Sequence, residues 1–296
     1  MKISKGSLVA VLAGMLVSIP CARADAFSTL AGAGSAYFGL LGLQNSDLEL
    51  SAVVVTGNAG VSSGGKLNVM APSSITGTVA KDSGATLTGP GSYGTVTTQS
   101  MTTIDGDAIS AASLASGLTP YQTFTNLTSA TTVSANGSTT VIDINGNINL
   151  NNANLTLNGT ASDYFIVNVT GNLTLGGTAS LLLSGGLTAG NVIYNFNSGA
   201  GACVLNTAVN DVINGIVLAT GCGTSSLDGT WNGEIIYGGT KVTLLSNAHV
   251  NEVATVTATP EPATFLLFGL GLLSIGLARK YFRPAGQPAV ARPSRS

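Results

Sequence analysis

Charge is scarce in this 296-residue chain: eleven Lys or Arg and thirteen Asp or Glu stand beside a single histidine, His249. A Ser-His-Asp triad would have to use that one imidazole, and nothing around it has the Gly-x-Ser-x-Gly form. No cysteine pair has zinc spacing and no glycine-rich loop precedes a Lys-Ser or Lys-Thr, so no metal, cofactor or nucleotide site is legible and no catalytic residue is assigned. The basic residues are also unevenly placed. Between Asp25 and Glu261 only Lys66, Lys81 and Lys241 oppose all thirteen carboxylates, a balance of −10 that repels phosphate backbones and argues against nucleic-acid binding.

Long apolar runs are confined to the two ends. Lys2 and Lys5 precede the stretch Leu8 to Ile19, Pro20 breaks it, and Ala22 and Ala24 flank Arg23 as the small residues that signal peptidase reads. Cleavage is expected after Ala24, because a helix of about 18 Å is too short for a hydrocarbon core of about 30 Å. Cys21 follows Pro20, which is the wrong neighbour for a lipoprotein signal. At the other end Ala263 to Ala278 is uncharged, about 24 Å long as a helix, and is followed by Arg279, Lys280 and Arg283, which would hold the cytoplasmic side of a transmembrane anchor.

The body between them is written in short β-forming runs such as "AVVVTGN", "TTVIDINGNINL", "ANLTLNG" and "DYFIVNVTGNLTL", separated by Gly, Asn, Ser and Asp turns. Asn214-Gly215-Ile216-Val217-Leu218 recurs as Asn232-Gly233-Glu234-Ile235-Ile236, Gly146-Asn147-Ile148-Asn149-Leu150 recurs as Gly171-Asn172-Leu173-Thr174-Leu175, and Gly57 has a counterpart at Gly77. These repeats differ in length but stay within the range of one solenoid coil, which suits coils stacked strand on strand with variable loops, although a β-sandwich has overlapping turn spacings. The expected fold is all-β, a right-handed parallel β-helix solenoid with one flanking α-helix, plus an N-terminal signal helix and the C-terminal transmembrane helix.

Three local expectations follow. Cys203 and Cys222 are separated by close to one coil, so adjacent rungs would place them within disulfide reach outside the cytoplasm; two buried free thiols are the alternative. "DGDAISAASLASGLTP" from Asp105 reads as a helix with Asp107 as N-cap, Gly117 just past its end and Pro120 beyond. The i, i+2 pair Asp47 and Glu49 is the other close acidic pair and could hold calcium weakly. Sequons at Asn126, Asn136, Asn154, Asn158, Asn168 and Asn172 read as by-products of an Asn/Thr-rich β-helix.

"TPEPATFLLFGLGLLSIGLARKYFR" resembles the PEP-CTERM sorting signal of Gram-negative bacteria, processed by an exosortase. The resemblance implies that Pro260, Glu261 and Pro262 are the recognition tripeptide and that Arg279, Lys280 and Arg283 fix orientation. Prolines keep such a segment extended and accessible. One departure is the tail "PAGQPAVARPSRS" beyond Arg283. The body, from "FSTLAGAGSAYFGLLGLQNSDLELSAVVVTGNAGVSSGG" to "DYFIVNVTGNLTLGGTASLLLSGG" and "NVIYNFN", resembles the choice-of-anchor A domain and is more distantly similar to ice-binding β-helices. The domain division is then 1–24 signal peptide, 25–258 β-helix, 259–283 sorting signal and 284–296 disordered tail. The function implied is a non-enzymatic protein of the Gram-negative cell surface or matrix. Its expected partners are signal peptidase, exosortase and exopolysaccharide, with the membrane met through the C-terminal helix. Ice or carbohydrate binding is the alternative, ahead of a polysaccharide-active enzyme. Thr86-Leu87-Thr88, Thr95-Val96-Thr97 and Thr255-Val256-Thr257 have the Thr-x-Thr form an ice-ordering face would use, but Asn154-Leu155-Thr156 and Asn172-Leu173-Thr174 interrupt the series.

Overall fold

A computed structural model describes residues 38–197, 201–245 and 248–252. The signal-peptidase residues Ala22 and Ala24 and the sorting residues Pro260, Glu261, Pro262, Arg279, Lys280 and Arg283, with the segments expected to form the two terminal helices, lie outside the described residues. The described strands form sheets of ten, nine and eight strands.

Each coil visits all three sheets in turn. Leu40–Gly42 lies in the ten-stranded sheet, Asp47–Ser51 in the eight-stranded, Val54–Thr56 in the nine-stranded, and Ala59–Val61 is back in the first, paired parallel to Leu40–Gly42. All pairings between the described strands are parallel, which rules out an antiparallel sandwich and leaves the β-helix. Alternation sets the side of each residue. In Asp47–Ser51, Leu48 and Leu50 point inward while Asp47, Glu49 and Ser51 face out. The inward residues of the three sheets merge into one continuous core running through every coil.

The repeats read from sequence are the actual registers. Val217 pairs with Ile235, Ile148 with Leu173, and Val54 with Ser74, each at the offset that its repeated segment displays. What sequence did not reveal is the order of stacking. The first described strand lies in the middle: Leu40–Gly42 is sandwiched between Ala59–Val61 and Ile235–Tyr237. From there the coils advance to Val96–Thr98 at one end. A helix, α1 (Thr102–Ser116), then leads to Gln122–Phe124 at the opposite end of the same sheet, and the remaining coils advance back to the start. Two stacks therefore meet at an internal seam. There Ile235–Tyr237, Lys241–Leu244 and His249–Asn251 pair with Leu40–Gly42, Asp47–Ser51 and Val54–Thr56.

The helix lies on the outer face of the ten-stranded sheet. Its contact residues are Ala108, Ala111, Ala112 and Ala115, small enough for close approach to Leu41, Ile236, Leu218 and Ile193. Gly60 serves the same packing, since a Cβ there would stand 2.7 Å from Leu41 Cδ1 and 2.9 Å from Phe38 Cε1. The expected end at Gly117 is correct, but the start is not: the helix begins at Thr102, and Asp107 sits inside it instead of capping it. Neighbouring groups hold this end. Asp82 accepts a 3.1 Å hydrogen bond from the N–H of Met101, and Asp105, in the first turn, accepts one of 2.6 Å from Ser62 Oγ.

Candidate binding faces

The eight-stranded sheet offers a flat, wholly polar row. Asn149, Thr174, Asn206, Ser226, Thr243, Glu49, Asn68 and Thr88 follow one another in register, one residue per coil. Beside it, across the seam, runs a second row in which Thr224, Lys241, Asp47, Lys66 and Thr86 succeed each other. Rungs about 4.8 Å apart therefore alternate cation, anion, cation. Lys241 forms an ion pair with Glu49, so the acidic pair read as a weak calcium site is neutralised by its neighbours and is not a cation site. Among the described residues no three His, Cys, Asp or Glu gather in a way that would hold a metal ion.

The nine-stranded face is less uniform. Val212, Thr230, His249 and Val54 succeed one another in register, and His249 stands exposed among them. The Thr-x-Thr triplets do not share a face. Thr86–Thr88 is the last strand of the eight-stranded sheet and Val96–Thr98 the last of the ten-stranded, while Asn154-Leu155-Thr156 falls in the nine-stranded; Thr255 to Thr257 lie outside the described residues. No extended threonine array results among the described residues.

Asparagine supports the corners between faces. Asn126, Asn147 and Asn172 each accept, through Oδ1, the backbone N–H of the next rung: Asn147, Asn172 and Val204 respectively, at 2.8 Å. A second ladder runs Asn251 to Asn232 to Asn214, amide to amide, at 2.9 and 3.0 Å, and ends on the carbonyl of Leu181. These bonds give the sequons at Asn126 and Asn172 a structural purpose: each amide satisfies a corner N–H that the strand ladder leaves open.

The polar cluster beneath the C-terminal turn of α1 had no sequence signal except the mid-strand asparagines of "FIVNV" and "VIYNF". Asn195 Nδ2 lies 3.0 Å from the carbonyl of Ala112 and from Ser116 Oγ, and 2.9 Å from Asn168 Oδ1. Asn168 Nδ2 in turn reaches Ala115 O at 2.9 Å and Asp143 Oδ1 at 3.0 Å. Two buried amides thus hold the last turns of the helix, Asn168 on the Ala115 carbonyl and Asn195 on the Ala112 carbonyl, which also accepts a 2.9 Å hydrogen bond from Ser116 Oγ. Ser62 was another residue passed over: Gly60-Val61-Ser62-Ser63-Gly64 has nucleophile-elbow spacing, yet Ser62 is fully buried and its hydroxyl is spent on Asp105.

Cys203 and Cys222 face each other on adjacent rungs and are joined by a disulfide, with Cα atoms 4.4 Å apart. Near the seam, desolvation and then the charge of Glu252 push the Glu234 carboxyl up to about 8. Glu252 itself is raised by burial, against a 2.7 Å hydrogen bond accepted from the N–H of Asn58.

Residues 48–250 match the Ice-binding-like family and residues 258–280 the PEP-CTERM protein-sorting motif. No curated protein matches the chain. Among solved structures the chain is similar to an ice-binding protein from the Antarctic ascomycete Antarctomyces psychrotrophicus, at 20% identity and TM-score 0.54, covering 76% of this chain and 98% of that one. It is also similar to an ice-binding protein from an Antarctic biological consortium, at 17% identity, TM-score 0.52 and coverages of 72% and 86%. A third is a glycosylated ice-binding protein from an Arctic yeast, at 17% identity, TM-score 0.51 and coverages of 75% and 94%. At these identities the likeness is one of fold. The chain belongs to the Ice-binding-like family, which the sequence displays as the more distant of its two body resemblances, and its sorting motif marks it as an exported protein of the cell surface.

Proposed function

We propose that this member of the Ice-binding-like family is a non-enzymatic surface or matrix protein of a Gram-negative envelope, handed to an exosortase by its C-terminal motif, whose flat faces hold hydrated exopolysaccharide. The observation that carries the reading is the paired rows of the eight-stranded face, where Lys241, Asp47 and Lys66 sit in register beside a row of amides, hydroxyls and Glu49. Fixed charges keep their own hydration and are costly to strip of water, so such a surface does not impose an ice-like lattice. A ladder of hydroxyls and amides suits a polymer whose every unit presents hydroxyl groups, each contact being weak and many being made together.

The family and the printed names of the structural neighbours favour ice binding as the second reading. Two measurements on the exported protein separate them: retention on exopolysaccharide extracted from the host, and thermal hysteresis. Retention without hysteresis is expected; hysteresis without retention overturns the matrix reading. Mass spectrometry of the mature C-terminus tests processing, with an end near Pro262 expected and an intact Ser296 contradicting it.

A further inference from the structure

In an Asn-Gly pair the glycine nitrogen can attack the asparagine side chain before it, because glycine has no Cβ to obstruct the approach and its backbone turns freely. The chain contains five such pairs, at Asn136, Asn145, Asn158, Asn214 and Asn232, each at or just beyond the end of a strand. The attack needs a glycine N–H that is not already bonded and a backbone with room to rotate.

Stacking denies both to four of the pairs. The N–H of Gly159 donates to the Ser184 carbonyl at 3.1 Å, that of Gly215 to the Asn232 carbonyl at 3.0 Å and that of Gly233 to the Asn251 carbonyl at 2.9 Å. The side chains before them are engaged as well: Asn158 Oδ1 accepts from Ser184 Oγ at 3.0 Å, and Asn214 and Asn232 belong to the amide ladder. Gly146 is wedged beneath the preceding coil, where a Cβ would stand 2.3 Å from the Thr125 carbonyl oxygen and 2.4 Å from Asn126 Oδ1. Its neighbours are pinned on both sides, the Asn145 N–H on the Phe124 carbonyl and the Asn147 N–H on Asn126 Oδ1, each at 2.8 Å. Gly137 is different. Its N–H has no acceptor among the described residues, its φ is +81°, and a Cβ there would meet nothing within 4 Å. Asn136 and Gly137 are both exposed, and of Asn136 only the backbone N–H is held, by Thr140 Oγ1 at 2.8 Å.

We propose that Asn136 is a self-modification site, where the folded protein converts asparagine to aspartate and isoaspartate with water as the only co-reactant. The Gly137 nitrogen attacks Asn136 Cγ, the new N–Cγ bond closes a succinimide ring, and the side-chain nitrogen leaves as ammonia with the proton that Gly137 gave up. Water then opens the ring. Cleavage of the new bond leaves aspartate; cleavage of the original peptide bond leaves isoaspartate, whose main chain runs through Cγ and is one carbon longer. Nothing is oxidised or reduced. Either product puts a carboxylate into the stretch from Ala108 to Ile142, which has no charged residue of its own. The corner has room for the longer main chain, and the ladder is anchored on both sides of it: the Ala135 N–H donates to the Asn158 carbonyl at 2.8 Å and the Ser138 carbonyl accepts from the Tyr164 N–H at 2.9 Å. This inference stands independently of what the faces bind.

The test incubates the mature protein, freshly purified from its host, in mildly alkaline buffer beside the same protein unfolded in urea. All five pairs are then mapped by mass spectrometry after digestion in acid, where ring closure is halted, and the two acids are separated by chromatography. Incubation continues until the unfolded chain has converted at Asn136, so that the chemistry is known to proceed. In the unfolded chain the five pairs are expected to convert at comparable rates. In the folded protein Asn136 is expected to react nearly as fast as in the unfolded chain and to give both acids. Each of the other four is expected to slow by about tenfold or more, because a hydrogen bond or a packed backbone must open first. A folded protein in which Asn136 stays intact while the unfolded chain reacts overturns the proposal. So does a folded protein in which any of the other four pairs converts as fast as Asn136.

Discussion

The two stacks that meet at the seam solve one architectural problem with different materials. In the stack that begins at Leu40, coil lengths barely vary: Leu40 pairs with Ala59, Ala59 with Val79, and Val79 with Val96. Its interior is aliphatic, built from residues such as Leu48, Leu50, Leu67, Val69 and Ile75. In the stack that begins at Gln122 the coils are irregular. Ile166 pairs with Ile193 and Leu173 with Leu205, both across long coils, whereas Val217 meets Ile235 across a much shorter one. Here the core holds Phe165, Tyr194, Phe196, Trp231 and Tyr237, and the disulfide. Uniform coils leave a constant interior that branched aliphatics fill; variable coils leave an uneven one that large rings and a covalent bond fill.

That contrast can be broken at its strongest point first. Trp231→Ala removes the largest fully buried side chain and is expected to cost about 3–5 kcal/mol in chemical denaturation, more than Leu67→Ala in the regular stack, where about 2–4 kcal/mol is expected. Equal losses would mean that the rings are not what fills the irregular interior. Removing the disulfide by Cys203→Ala with Cys222→Ala is expected to cost about 2–4 kcal/mol, with hydrogen exchange accelerating around these residues more than around Asp47–Ser51.

Asn195→Leu leaves the Ala112 carbonyl and Ser116 hydroxyl without their shared donor and is expected to cost about 1–3 kcal/mol, read as earlier exchange in α1 while the strands keep their protection. The last test uses pH. Burial raises the Glu234 carboxyl from 4.5 to about 8, so its contribution to stability is fully present below 4.5 and is lost as pH rises through about 8. The melting temperature is expected to be higher near the lower of these two values than above the upper one. Glu234→Gln should flatten that slope, and a slope unchanged by the substitution would contradict the assignment.

Much of the coil geometry was legible because a coil is a local object. Asn214-Gly215 and Asn232-Gly233 occupy equivalent corners, and the same turn chemistry has to recur wherever the backbone makes the same bend. Cys203 and Cys222 were legible for the same reason, as their separation is one local rung. The start of α1 was misplaced because Asp82, a residue in the preceding coil, holds Met101, and no local signal encodes that contact. The pairing of Leu40–Gly42 with Ile235–Tyr237 was hidden too, since hydrophobic alternation reports which side of a strand is buried but not which strand lies beside it across most of the chain. On the candidate faces, each polar residue was visible, yet the alternation of Lys241, Asp47 and Lys66 exists only once the seam has closed.

The position of that seam has a temporal consequence for an exported chain. The first described strand keeps one open flank until Ile235–Tyr237 arrives, and the last, His249–Asn251, stands only shortly before the sorting motif that begins at position 258. Closure of the body therefore waits until nearly all of it has been exported, so the sorting motif follows directly on the strands that complete the fold.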